Sequence, residues 1–101
     1  KQWAERYIPH DHLWQPKRGF HVPVREWLGG DFIRGLADRL PRNEAIRRWC
    51  QPQAVRALLA GDTAAHSREI WSLMQFAIWH RLFIEQPQQT PSAEEDPLQW
   101  L

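Results

Sequence analysis

Three features of the sequence together predict an all-α fold. One stretch without proline or glycine, His66 to Glu85, can run as a single unbroken helix of about twenty residues. No segment alternates apolar and polar residues long enough for a strand, and HVPV at 21–24 is short and carries a proline. Prolines and glycines divide the remainder into short pieces with helical spacing. The expected architecture is a small bundle of about four to six helices with one long central C-terminal helix.

Lys1 to Ile8 is expected to be a short helix in which Trp3, Tyr7 and Ile8 share a face. Pro9 ends it, because proline disfavours helix in the residue before it. From His10 to Trp27, Pro16, Gly19 and Pro23 predict a loop with fixed bends. Pro23 can open a helical turn through Trp27 and Leu28, which Gly29 and Gly30 close. Asp31 is placed to cap a helix from Phe32 to Leu40, with Phe32, Ile33, Leu36 and Leu40 as its buried stripe, and Pro41 stops it. Asn43 caps a shorter helix through Trp49. Pro52 stands at a first helical position, Val55, Leu58 and Leu59 form the apolar face, and Gly61 is a left-handed stop.

On the long helix, Ile70, Met74, Ala77, Arg81 and Ile84 fall on one face at 100° per residue. Trp71, Ile78 and Leu82 lie beside them, and Phe76, Trp79 and Phe83 on the far side. Apolar groups go all the way round, so this helix needs neighbours on several sides. Residues 1–86 are expected to be the helical part. Residues 87–101, rich in proline, glutamine and acid, are expected to be an extended or disordered tail whose end, Trp100 and Leu101, can dock.

With 101 residues the chain has room for one modest core and not for two domains. Thirteen Lys and Arg against 12 Asp and Glu leave a net charge of +1, which announces neither a nucleic-acid footprint nor a polybasic membrane face. Balanced charge suits a cytoplasmic protein. Cys50 is the single cysteine, which excludes an intrachain disulfide and a zinc site built from cysteine pairs. No apolar run reaches membrane-span length, and KQWAERYIPH has no signal-peptide apolar region. The start at Lys1 without methionine and the seven tryptophans predict a piece of a longer polypeptide, one that self-associates when alone.

Few residues offer chemistry. His10, Asp11 and His12 have ligand character but no third partner at a recognised spacing, so no metal site is assigned. His66 and His80 are about 21 Å apart by helical rise and cannot share an ion. Cys50 has no positioned base, and Ser67 beside His66 points about 100° away from it. Arg47 and Arg48, with Arg42, Arg56 and the Trp49 ring nearby, can touch phosphate or stack on a base, but on helices with interspersed acids they read as a solvated face rather than a nucleic-acid site. Lys17 and Arg18, ahead of Gly19 and Phe20, are the most suggestive. Held between prolines, Lys17 can present its ammonium to a phosphate or to developing negative charge; a surface turn with incidental charge is the other reading.

Four strings now stand in order: PKRGFHVPVREWLGG, FIRGLADRL, QPQAVRALLAG and AHSREIWSLMQFAIWHRLFIE. With their K-x-G-F-x-x-P-x-x-x-W and S-R-x-x-W-x-L-x-x-F-x-x-W patterns, they resemble the C-terminal end of the synthetase domain of the glutamine-hydrolysing asparagine synthetase family. The resemblance runs from about Lys1 to Glu85 and implies a fragment of a larger α/β adenylating domain.

Members of that family pair an N-terminal glutaminase, which releases ammonia from glutamine, with a domain that activates a carboxylate such as aspartate using ATP and Mg2+. Ammonia then attacks the acyl-adenylate. The resemblance places Lys17 as the residue that steadies phosphate charge during adenylation. Gln15 departs from it, since many members carry arginine there. No S-G-G-x-D-S pyrophosphate loop and no leading cysteine are present, so the chain alone is expected to be inactive and to bind neither ATP nor Mg2+. Its expected partners are the remainder of the synthetase domain and the glutaminase domain, with no nucleic acid and no membrane. The rival expectation is a self-standing helical protein-interaction module.

Overall fold

The computed structural model describes residues 2–16 and 22–101, and all regular secondary structure among them is helical. A 3₁₀ turn, Gln2–Arg6, precedes α1 (His10–Trp14), α2 (Val24–Trp27), α3 (Gly30–Arg39), α4 (Glu44–Trp49), α5 (Pro52–Ala60) and α6 (Ser67–His80). A 3₁₀ turn at Leu40–Arg42 joins α3 to α4, a π-helical turn at Arg81–Glu85 prolongs α6, and a last 3₁₀ turn covers Pro97–Trp100. None of the helices among the described residues is long and apolar enough to cross a membrane.

One core holds this together: Leu28, Leu36, Leu40, Ile46, Val55, Leu59, Ile70, Met74, Ala77 and Leu98. The stripe is buried most deeply at Leu36 of α3 and at Leu40 in the turn that follows, while Phe32 and Ile33 pack against the core's edge. Asn43 caps α4 as expected, its Oδ1 accepting from the Ala45 N–H at 2.9 Å, and Pro52 is the first residue of α5. Neither Gln2–Arg6 nor α1 has a buried residue. That outlying arm helps explain a radius of gyration of 18.6 Å, against about 13 Å for a compact domain of this size.

The structure corrects several local expectations. The stretch after Pro9 is not loop throughout: His10–Trp14 is helical, with the Pro9 carbonyl accepting from the His12 and Leu13 N–H groups. A proline just ahead of a helix costs it no hydrogen bond, so Pro9 both ends one turn and opens the next. Pro23 precedes α2 at the centre of an inverse γ-turn, φ −77° and ψ 56°, with the Val24 N–H bonded to the Val22 carbonyl at 2.8 Å. Asp31 lies inside α3, where it pairs with Arg34, and Gly29 takes the N-cap position. Gly30, at φ 55°, makes the reversal into α3, a conformation suited to glycine. Gly61 leaves α5 in extended geometry (φ −89°, ψ −152°) rather than left-handed. Asp62 then organises the following turn, accepting from the N–H groups of Ala64 and Ala65.

The end of the tail packs on the helices, and it does so through Leu98 as well as Leu101. Asp96 caps Pro97–Trp100, and Leu98 is only 8% exposed within the core. Arg39 donates to the Leu98 carbonyl at 2.6 Å, and Arg81 to the Leu101 carbonyl at 2.9 Å. Gly35 makes room: a Cβ there would lie 2.7 Å from Leu98 Cδ1. A glycine in mid-helix thus has a packing reason, which is the close approach of a segment remote in sequence.

Candidate functional site

Lys17, together with Arg18, Gly19 and Phe20, lies outside the described residues, which stop at Pro16 and resume at Val22. The two sides of that gap differ. On the N-terminal side α1 is exposed, tied back by the Trp14 Nε1–H bond to Glu5 Oε1 at 2.8 Å. On the C-terminal side the chain is anchored: Val24 packs against the core, Leu28 is buried, and the Trp27 ring meets Trp71 of α6 at 5.6 Å between centroids. The chain from Val24 to Leu28 is thus held against α6.

The other sequence candidates fall apart in space or stay on the surface. His10 Nδ1 and Asp11 Oδ1 are 3.8 Å apart and highly exposed. Among the described residues no three His, Cys, Asp or Glu side chains gather as a metal site. His66 is exposed at the start of α6, 4.0 Å from Glu69. Cys50 is half-buried beside the core and is a free thiol. Arg48 lies over the Trp49 ring, 5.4 Å from its centroid, and Arg42 pairs with Asp38 at 3.2 Å.

Sequence reasoning took His80 for an ordinary helix residue, yet it is 5% exposed and held by Glu85, with Nδ1 to Oε1 at 2.7 Å. The physical cause is the π turn. The Gln86 N–H bonds the Arg81 carbonyl five residues back, and this wider winding carries Glu85 round to His80. The same change turns Ile84 out to 56% exposure, although regular helical spacing put it on the buried face. A five-residue separation is not a pairing distance on an α-helix, so the available signal was a buried polar position alone.

His80 forms part of the wall of an apolar cleft of about 400 Å3 with Arg48, Trp49, Phe76, Trp79 and Ile84. Trp79 stacks between Phe76 and Phe83, with centroids at 6.4 and 6.1 Å. Trp49 and Phe83 are each 65% exposed. A broad aromatic face of this kind suits packing against another protein surface.

A family model described as asparagine synthase matches residues 1–81. The chain is 33% identical over 85 residues to asparagine synthetase (glutamine-hydrolyzing) 1 of Bacillus subtilis, an alignment covering 81% of this chain and 13% of that protein. Over 84 residues it is 30% identical to a putative asparagine synthetase (glutamine-hydrolyzing) of Mycobacterium tuberculosis H37Rv, covering 80% of this chain and 13% of the relative. It thus spans 13% of the length of these curated relatives. No solved structure matches it.

Proposed function

Since the chain belongs to the asparagine synthase family, we propose that it is the C-terminal helical part, residues 1–86 with a short tail, of a cytoplasmic glutamine-hydrolysing amidotransferase. The match over residues 1–81 carries this reading. In it, glutamine supplies ammonia, ATP activates a carboxylate such as aspartate, and ammonia displaces AMP to leave the amide. In this reading the metal and most of the ATP contacts belong to other parts of the enzyme. This chain contributes Lys17, whose ammonium offsets the negative charge that builds on phosphate oxygens during adenylation. The rest is scaffold, and the chain by itself does not turn over substrate.

The full-length enzyme is expected to form asparagine, AMP and pyrophosphate from aspartate, glutamine and ATP, measured by amino-acid chromatography and pyrophosphate release. Turnover with a different carboxylate alone would change the acceptor, and the absence of any ATP-dependent amidation would overturn the reading.

The exposed aromatic face supports the same reading, because the remainder of a synthetase domain would cover it. It also favours a second one, a self-standing helical module that binds a partner protein through Trp49, Trp79 and Phe83. Under either reading the isolated chain is expected to self-associate, giving a light-scattering mass above 12.1 kDa. Trp79→Asp should return it to monomer; a wild-type monomer at high concentration would show that the face needs no cover.

A further inference from the structure

We propose that Arg42, Arg47 and Arg56 form a binding cleft for a phosphate-type oxyanion. The three come from different elements, the Leu40–Arg42 turn, α4 and α5, and with Pro41 and Pro52 they line one open cleft of about 350 Å3. One acid, Asp38, meets only one of the three. Arg42 shares Asp38 in an ion pair exposed on both sides, which water screens. The side chains of Arg47 and Arg56 have no hydrogen-bond or ion-pair partner among the described residues.

Like charges near one another, here three against the single exposed carboxylate of Asp38, raise the local potential, and an anion entering the cleft relieves it. The N-terminus of α5 adds to this field. Pro52, its first residue, lines the cleft, and its first turn has neither a capping side chain nor an acid. By contrast α4 is capped by Asn43 and begins with Glu44.

The donor chemistry selects the ligand class. A guanidinium offers paired N–H groups in a fixed fork, matched to two oxygens of one anion. Three such forks exceed what a single carboxylate can accept, whereas a phosphate dianion has oxygens in several directions. A phosphate group on a small molecule and free inorganic phosphate share this chemistry.

The test is a titration of the 101-residue chain with inorganic phosphate and, separately, with pyrophosphate at constant ionic strength, read by arginine side-chain and backbone NMR. Saturable shifts are expected at Arg47, Arg56, Gln53 and Ala54, with chloride producing none. Tighter binding of pyrophosphate would point to a diphosphate-bearing ligand, and equal binding to phosphate itself. Both residues are exposed, so the double variant Arg47→Gln, Arg56→Gln should keep the wild-type circular dichroism and bind at least tenfold more weakly. Asp38→Asn, which frees Arg42, should bind more tightly. Linear shifts matching those of chloride, or unchanged affinity in the double variant, would overturn the proposal. So would a single-stranded oligonucleotide that binds this face without being displaced by phosphate, since the surface would then be a nucleic-acid contact.

Discussion

Replacing Lys17 with alanine in the full-length enzyme is expected to slow carboxylate adenylation by about a hundred- to a thousandfold, the loss typical of removing one preorganised donor at a charge-developing oxygen. The change should appear in the rate of pyrophosphate release. Glutamine hydrolysis, which belongs to another domain in this reading, should be altered much less. Lys17→Arg retains the positive charge but replaces a compact ammonium with a planar fork, so it should restore only part of the rate. A Lys17→Ala enzyme that folds and releases pyrophosphate at a near-normal rate would remove this residue from the reaction.

Leu98→Ala is expected to lower stability by about 2–3 kcal/mol, near the lower end for leucine truncations in cores, because the site lies at the core's edge. Urea denaturation checks it, and a loss below about 0.5 kcal/mol would mean that the tail contributes little to the fold. Gly35 provides an internal control. With Leu98 present, Gly35→Ala forces Cδ1 away from its 2.7 Å approach and should destabilise. In the Leu98→Ala background that atom is gone, and the same substitution should stabilise by about 0.5–1 kcal/mol through helix propensity. A change of sign between the two backgrounds measures the contact directly.

Much of the fold was legible because its signals are local. Pro41, Asn43 and Pro52 mark helix ends through φ restriction and side-chain capping, and both effects operate within a few residues. The stripe Leu36 and Leu40, and the pair Val55 and Leu59, follow from helical period and are buried as that period requires. Where a short polar side chain or a glycine had two possible uses, as at Asp31 and Gly61, local reasoning chose the commoner one and the structure uses the other. For the site, motif order identified the family, and Lys17 rests on that resemblance alone.

By itself, then, the sequence determined an all-α chain, the places of most helix boundaries and the family to which it belongs. Tertiary structure decided which side of α6 is covered, how His80 finds Glu85, how three arginines from separate elements come to border one cleft, and that the tail docks. The contact from Arg39 to the Leu98 carbonyl spans 59 residues. Its formation depends on the intervening helices bringing α3 and the end of the chain together, and no residue's own propensity carries that information.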